Sequence, residues 1–225
     1  MNYPNTHRSA TARSSQSYQG LRAVPADLIG IIGFGTEATG VLPLIEVLAP
    51  QALIAPSRLV ANGNTNLTAG LALAHDWLRR LPRHILRKCT VIADGEPNIG
   101  TDQLVKTAAL MRDDYISIDS VYCGTGEAGA SVLRLLSSWT VGGHSYTAQT
   151  LEALTKLVTS SAARPHSRQA ATVILVDTST SMGNSLSGCG GLSRMAAAIS
   201  ACQSVVLMKR TAFGQVGRVG QVGGY

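Results

Sequence analysis

The sequence predicts an α/β fold with a doubly wound, mostly parallel central sheet and helices on both faces. Short apolar runs rich in β-branched residues alternate along the chain with longer segments of helical apolar spacing. The most continuous run, Thr172–Val176, has no polar alternation, which is typical of a strand buried on both faces. Two runs end in an acid, Asp94 and Asp177, and sites in such sheets lie at the carboxyl ends of strands.

Length and composition favour a single domain. The 225 residues suffice for one sizeable core, and 45% of them are hydrophobic. The net charge is +6, but the excess lies near the two ends of the sequence, so the body is near neutral and we expect no specific nucleic-acid partner. The residues that account for the excess are Arg8, Arg13, Arg22, Lys209, Arg210 and Arg218. A denser basic cluster is interpreted as cations near a helix C-terminus, and it comprises Arg79, Arg80, Arg83, Arg87 and Lys88.

The cysteines and the hydropathy pattern indicate a reduced, cytoplasmic protein. No two cysteines form a CxxC pair, which argues against a zinc site. The N-terminus lacks the apolar core of a signal peptide, and no stretch is long and apolar enough to span a bilayer. The four cysteines are Cys89, Cys123, Cys189 and Cys202.

The first part of the chain is predicted to hold a tail and two strands. Residues 1–26 are rich in Ser, Thr, Arg, Asn and Gln, so we interpret them as a disordered basic tail. A single domain is expected over residues 27–210. It begins with a buried strand at Leu28–Phe34 and a short return strand at Gly40–Leu44, followed by a connection over Ile45–Asn62.

Helices and strands alternate through the middle of the chain. A helix is predicted over Leu67–Leu81, because its apolar spacing is helical and stops before Pro82. The elements that follow are a strand at Cys89–Ala93, a helix at Asp102–Arg112, a strand at Ile116–Cys123 and a helix at Ala128–Trp139.

The last part of the chain completes the predicted set around the Thr172–Val176 strand. The remaining elements are a short edge strand at His144–Ala148, a helix at Leu151–Val158, a polar connector at Thr159–Ala170, an Ala-rich helix at Leu192–Met208 and a flexible Gly-rich tail over residues 211–225.

The residues after the Thr172–Val176 strand suit a hard cation. Asp177 is followed by hydroxyls at alternate positions, Ser179 and Ser181, and ions such as Mg²⁺ prefer oxygen ligands. The alternative is structural, with Asp177 or Ser179 capping the next helix. Because Asp94 ends another strand at the same predicted edge, the cation site is favoured.

The stretch Asp177-Thr-Ser179-Thr-Ser181 resembles the Asp-x-Ser-x-Ser signature of von Willebrand factor type A (vWA) domains. Other segments resemble later parts of that family, in the family's own relative order, so the resemblance covers residues 27–210. These segments are Ile31-Ile-Gly-Phe-Gly-Thr-Glu-Ala, Gly63-Asn-Thr-Asn-Leu-Thr-Ala-Gly-Leu, Val91-Ile-Ala-Asp-Gly-Glu-Pro-Asn and Thr140-Val-Gly-Gly-His-Ser-Tyr.

The order of these segments differs from the family's, because the signature strand and its helix come last instead of first. The resemblance therefore implies a circular permutation, with Thr159–Ala170 joining the original ends, at a place where termini lie close together. The alternative is a truncated tandem, the end of one domain followed by the start of another. We favour permutation because no element is duplicated, and we expect Thr172–Val176 to lie between Leu28–Phe34 and Cys89–Ala93 in the sheet.

The resemblance also implies the family's metal-ion-dependent adhesion site. An Asp or Glu of a partner protein would complete the coordination of Mg²⁺ or Mn²⁺, so the implied function is protein binding and not catalysis. Domains of this family often stand beside ATPases or kinases, and the partner is expected in such a system. The implied ligands are Asp177, Ser179, Ser181, Thr65 and Asp94, with Thr68 as the alternative to Thr65.

Two other classes of function stay open. Gly33-x-Gly35 after a strand suggests a nucleotide- or phosphate-handling α/β enzyme, but the next glycine, Gly40, misses the G-x-G-x-x-G spacing. Neither GxxxxGK[ST] nor GxSxG occurs. The third class is a scaffold whose metal site is incidental. Loss of partner binding on chelation would separate the binding module from the scaffold, and turnover of a nucleotide or phosphoester would indicate an enzyme.

Overall fold

The computed structural model describes residues 26–95, 97–162, 168–187 and 190–219. Within them one sheet has the strands β1 (Leu28–Phe34), β2 (Ala38–Glu46), β3 (Leu86–Ala93), β4 (Ile116–Tyr122), β5 (Ser145–Thr147) and β6 (Ala170–Asp177). The helices are α1 (Gln51–Ile54), α2 (Leu67–Arg79), α3 (Thr101–Asp113), α4 (Glu127–Ser138), α5 (Leu151–Ala162) and α6 (Arg194–Val219). The α/β fold class predicted from the sequence is confirmed.

The strand order is β2-β1-β6-β3-β4-β5, with β2 antiparallel to β1 and every other neighbouring pair parallel. The last strand of the chain, β6, therefore lies between β1 and β3, as its unbroken apolar run predicts. If β6 is counted as the first strand, the order across the sheet becomes 3-2-1-4-5-6, which is common in doubly wound sheets. The sheet is consistent with the Rossmann-like architecture of vWA domains.

The central strand β6 is buried along its whole length, because helices cover both faces of the sheet. Val173 and Leu175 point into one core, which contains apolar residues of α2, α3 and α4. Ile174 and Val176 point into the other core, with residues of α1, α5 and α6. Full burial of one such side chain is worth roughly 1.5–3 kcal/mol, so β6 contributes to both cores at once.

Two boundaries correct the sequence predictions. The helix predicted to end at Val158 continues through Ala162, so the first part of the predicted connector, Thr159–Ala170, is helical. Val158 and Ala162 are both buried one helical turn apart, and this packing carries the helix beyond its predicted end. The segment predicted as a plain connection, Ile45–Asn62, contains α1 and a turn of 3₁₀ helix.

The long helix α6 corrects two further expectations. It extends to Val219 and so includes much of the 211–225 segment that was predicted to be a flexible tail. Lys209, assigned from sequence to the basic excess near the chain end, is buried, and its Nζ lies 2.8 Å from Oδ2 of the buried Asp27. This ion pair holds α6 against the start of β1, and it explains why the helix continues past its predicted end at Met208. In the part of the chain that the structure describes, no helix combines the length and apolar character needed to cross a membrane.

The predicted N-terminal tail falls almost entirely outside the described residues, which begin at Ala26. Ala26 itself is buried, and its carbonyl oxygen accepts a hydrogen bond from Gln169 Nε2 at 2.6 Å. The backbone N–H of Ala170 donates to Asp27 Oδ1 at 3.1 Å. The ordered structure therefore includes a residue that the sequence assigned to the tail, because that residue packs beside the start of β6.

We expect residues 1–162 and 168–225, expressed as two separate chains in the same cells, to co-purify through a tag on either one. Without β6 the sheet divides into β2-β1 and β3-β4-β5, and each part exposes a strand edge and a row of apolar side chains. The measurement is affinity capture followed by size exclusion under native conditions. Ile174→Asp in the shorter chain is the control and should abolish association, because it places a charge in the core. A folded longer chain that remains alone would contradict the single-domain interpretation.

Candidate metal site

The site is centred on Asp177, the last residue of β6, which is 0% exposed. Its Oδ1 accepts a hydrogen bond of 2.7 Å from the backbone N–H of Ser179. Its Oδ2 is buried and has no hydrogen-bond partner within the described residues. A carboxylate oxygen that is both buried and unpaired is costly, so a cation or a proton would be favourable beside this atom.

The acidity of Asp177 reflects this environment. Burial is the main cause that raises the pKa of its carboxyl group, and the negative charge of Asp94 adds to it; together, against the lowering effect of hydrogen bonds from Ser179 and from the backbone of Asp94, they bring the pKa from 3.8 to about 7. At neutral pH the metal-free carboxyl group is therefore divided between its protonated and ionised forms. A bound cation would favour the ionised form.

A chain of hydrogen bonds connects Asp177 to the end of the neighbouring strand β3. The hydroxyl oxygens of Ser179 and Ser181 lie 2.9 Å apart. Ser181 Oγ in turn donates to Asp94 Oδ1 at 2.8 Å. A Cβ at Gly124 would collide with the carbonyl oxygen of Asp94, so a glycine is required there for the loop after β3 to take this path. Two carboxylates and two hydroxyls thus meet where β6 and β3 end.

Sequence reasoning missed Arg194, the first residue of α6. Its Nη1 lies 2.6 Å from Asp94 Oδ2, and the two side chains are 12% and 0% exposed. The nitrogen also lies 3.5 Å from the carbonyl oxygen of Ser181. No sequence pattern distinguishes this arginine from other basic residues at helix ends, because its role depends on how α6 packs beside the loop.

Thr65 lies in the loop before α2, next to the cluster but not hydrogen-bonded to it. The loop is attached to the Asp177–Ser181 segment because the backbone N–H of Thr180 donates to the carbonyl of Gly63 at 3.0 Å. Gly63 has φ +86°, a conformation that favours glycine. The backbone N–H of Thr65 donates to Asn98 Oδ1 at 3.0 Å and its carbonyl accepts from the Asn98 backbone N–H at 3.1 Å, while no hydrogen bond of its hydroxyl occurs within the described residues.

The alternative hydroxyl, Thr68, is used elsewhere, because its Oγ1 donates to the carbonyl oxygen of Gly100 at 2.7 Å. The structure thus joins four predicted ligands, Asp177, Ser179, Ser181 and Asp94, by hydrogen bonds and places Thr65 in the adjacent loop. These residues fit a hard cation, since all of the donor atoms are oxygen. Among the described residues no three His, Cys, Asp or Glu side chains are grouped so that they could hold a metal ion, and the cluster itself combines two carboxylates with neutral hydroxyls.

A cleft of about 510 Å³ opens beside the start of the turn that follows β6. It lies between the hairpin of β1 and β2 and the segment that follows α1, and Thr178, between Asp177 and Ser179, forms part of its wall. One acid and one base line it, Glu37 and Arg58. None of the five predicted ligands lines it, so Thr178 and Gly63 are its links to the loops that carry Ser179 and Thr65.

With EDTA present to keep the protein free of metal ions, we expect the free energy of unfolding to fall as pH rises from 3.8 to about 7, because Asp177 loses its proton over this range. Its pKa is higher in the folded than in the unfolded state, so the folded state binds the extra proton and the free energy of unfolding falls as the proton is lost. Each pKa unit corresponds to about 1.4 kcal/mol. Urea unfolding at pH 5 and pH 8 should show this loss in the native protein and a smaller one in Asp177→Asn. The same pH dependence in both proteins would contradict the raised pKa.

Comparisons with known proteins find similarity in structure and not in sequence. No protein-family model matches the chain, and no curated protein does. The crystal structure of the SpRpn10 VWA domain is 21% identical, covers 60% of this chain and 71% of its own, and gives a TM-score of 0.47. An uncharacterized membrane spanning protein from Vibrio fischeri is 22% identical, with 60% and 74% covered and a TM-score of 0.29. At this level of similarity no residue role is transferred from either structure.

Proposed function

We propose that this chain is a vWA-type domain in circularly permuted form, and that it binds a protein partner through a divalent cation. The observation that carries the proposal is the buried, unpaired Oδ2 of Asp177 beside a second carboxylate, Asp94. Two ionised carboxylates in a buried position repel each other, and a divalent cation would remove that repulsion. The adjacent hydroxyls of Ser179 and Ser181 supply neutral oxygen donors.

The proposed division of roles follows from charge and position. Asp177, Ser179 and Ser181 would hold Mg²⁺ or Mn²⁺ from the loop after β6. Asp94 would contribute from the loop after β3, and Thr65 from the loop before α2. When bound, the ion would offer an open coordination position that attracts a further anionic oxygen. An Asp or Glu side chain of the partner would supply that oxygen, with the cleft beside Thr178 receiving the rest of its segment.

The topology supports permutation over a truncated tandem. The described strand β6 has hydrogen-bonded neighbours on both sides in the same chain, β1 and β3, and the register is continuous with each. A fragment from a second domain would not fit between strands of the first. The cluster also lies between the carboxyl ends of β6 and β3. In the 3-2-1-4-5-6 order that is obtained by counting β6 first, this is the switch point, the position at which doubly wound sheets bind ligands.

Arg194 gives the proposed site an internal counter-ion. In the metal-free protein its guanidinium group neutralises Asp94 by a short, charge-assisted hydrogen bond in a poorly hydrated position. A divalent ion at the cluster would be repelled by this positive charge. We propose that Arg194 leaves Asp94 Oδ2 when the ion binds. The free energy needed to break this ion pair would then lower the affinity for the cation.

Two features favour binding over catalysis. Burial raises the pKa of the Cys123 thiol near the site, so this cysteine stays protonated and is a poor nucleophile. The hydroxyls of Ser179 and Ser181 bond each other and Asp94, with no histidine among their described partners to act as a base. We propose an acidic segment of a protein in an ATPase or kinase system as the partner. A nucleotide- or phosphate-handling enzyme and a scaffold with an incidental metal site are the competing functions.

Calorimetric titration should detect Mg²⁺ binding by the native protein and none by Asp177→Ala, because the substitution removes the unpaired carboxylate. Ser181→Ala should weaken binding, since it deletes the hydroxyl that lies between Ser179 and Asp94. Thr180→Ala is the matched control in the same loop: its hydroxyl donates to the Gly63 carbonyl instead. Circular dichroism of each variant is the check that it is folded. Equal affinity in folded Asp177→Ala would exclude Asp177 as a ligand.

Arg194→Gln should bind Mg²⁺ more tightly than the native protein, by a factor on the order of tenfold, or about 1.4 kcal/mol. The substitution keeps a hydrogen-bonding group near Asp94 but removes the positive charge that opposes the ion. Arg79→Gln is the control, because it removes a charge from an exposed pair with Asp76 on α2. Unchanged or weaker binding by Arg194→Gln would show that the arginine does not compete with the cation.

A further inference from the structure

A second cleft lies at the opposite end of the sheet, where β3, β4 and β6 begin. Its volume is about 420 Å³, and the proposed cation site does not contribute to it. Its walls include the starts of these strands, the last residue of α5 and the exposed residues that precede β4 and follow α4. A cleft of this size can hold a small organic ligand.

The charge lining this cleft has one sign. Four cationic residues and no acid occur among the described residues of its walls, and the cations are Arg83, Arg87, Lys88 and Arg168. Lys88 is neutralised from behind by the buried Asp119, whose Oδ2 lies 2.9 Å from its Nζ. The cleft therefore attracts anions.

Arg87 is the most informative of these residues, because it is only 8% exposed. Its Nη1 and Nη2 donate to the carbonyl oxygens of Asp114 and Leu81, at 3.1 and 2.7 Å. Its Nε is buried and has no hydrogen-bond partner within the described residues, and no described carboxylate forms an ion pair with its guanidinium group. Carbonyl dipoles at helix ends offset only part of a full charge. The remaining charge is compensated if an anion occupies the cleft.

Tyr115 supplies a flat apolar surface at the edge of the same cleft. Its φ is +56°, a left-handed conformation in which bulky residues are rare and glycine is usual after a helix. The side chain is nevertheless 78% exposed, so burial does not offset the strain. The guanidinium carbon of Arg83 lies 6.0 Å from the centre of its ring, and the neighbouring Val141 is 90% exposed.

We infer that this cleft binds an organic phosphate that carries a planar ring, such as a mononucleotide. The phosphate lies toward Arg87 and Arg83, because guanidinium groups match phosphate oxygens in charge and geometry. The ring lies against Tyr115 and Val141, where stacking does not require a particular base. The site is independent of the proposed metal-dependent function, since it lies at the amino ends of the strands and the proposed cation site lies at their carboxyl ends.

Calorimetric titration of the full chain at low ionic strength tests this inference with four probes: AMP, ribose 5-phosphate, inorganic phosphate and adenosine. We expect AMP to bind roughly fivefold or more tightly than ribose 5-phosphate, because only AMP combines the anion with a stacking ring. Adenosine should not bind measurably, since it lacks the charge. Binding of AMP should weaken as salt is added.

Variants separate the two parts of the site. Tyr115→Gly suits the left-handed backbone, so it keeps the fold while reducing the affinity for AMP to that of ribose 5-phosphate. Arg83→Gln should weaken both ligands severalfold. Arg87→Met should abolish binding, and where that variant does not fold, the other two decide. Arg134→Gln, which removes the same charge from the exposed surface of α4, is the control and should change nothing.

Three results would overturn the inference. The first is equal affinity for AMP, ribose 5-phosphate and inorganic phosphate that Tyr115→Gly does not alter, which would indicate a basic surface without a ring site. The second is equal loss of binding in Arg83→Gln and Arg134→Gln, which would indicate unspecific attraction. The third is binding of an acidic polypeptide, polyglutamate, by a protein that binds none of the phosphates.

Discussion

The insertion of β6 between β1 and β3 is the constraint on which the rest of this structure depends. The strand pairs in parallel on both sides and contributes side chains to the cores on both faces of the sheet. Because it is surrounded, the carboxylate that ends it is removed from water, and this desolvation is the main reason for the raised pKa of Asp177. The same pairing brings the end of β3 alongside, so that Asp94 meets the Ser179–Ser181 turn. The properties of the candidate site are thus consequences of strand packing.

The carboxyl ends and the amino ends of the parallel strands have opposite electrostatic character. At the carboxyl ends of the strands, two buried carboxylates lie near one cation, Arg194. Arg194 pairs with Asp94, and Oδ2 of Asp177 is left without a partner within the described residues. At the amino ends, basic side chains meet the ends of helices: Arg87 donates to the residue after α3, and Lys88 to the carbonyl of Ser161 near the end of α5. Cations at helix C-termini are favourable, which explains why the basic cluster forms. This effect does not explain why Arg87 lacks a full negative counter-charge.

The sequence was most informative where burial alone decides the structure. An apolar run without polar alternation must be covered on both faces, so the central place of β6 and the approach of Asp94 to Asp177 could be predicted. The reach of Arg194 could not, because the direction of a long side chain depends on how α6 packs. That Thr65 would lie in the adjacent loop without a hydrogen bond to the cluster, and that Tyr115 would be left-handed, could not be predicted either, since local loop geometry fixes both. Helix α6 continues through a segment that contains glycine, although glycine disfavours helix. The buried ion pair between Lys209 and Asp27 anchors the helix just before this segment.

The position of β6 in the chain also affects how the protein folds as it is synthesised. The ribosome completes β1 and β3 long before the strand that belongs between them, and at about 5–20 residues per second the delay lasts several seconds or more. During that interval both strands expose hydrogen-bonding edges and apolar faces, which are the features that promote misassociation. The central pairs of this sheet therefore form only after nearly all of the described chain has been synthesised, whereas a domain that begins with its central strand can pair each new strand as it emerges.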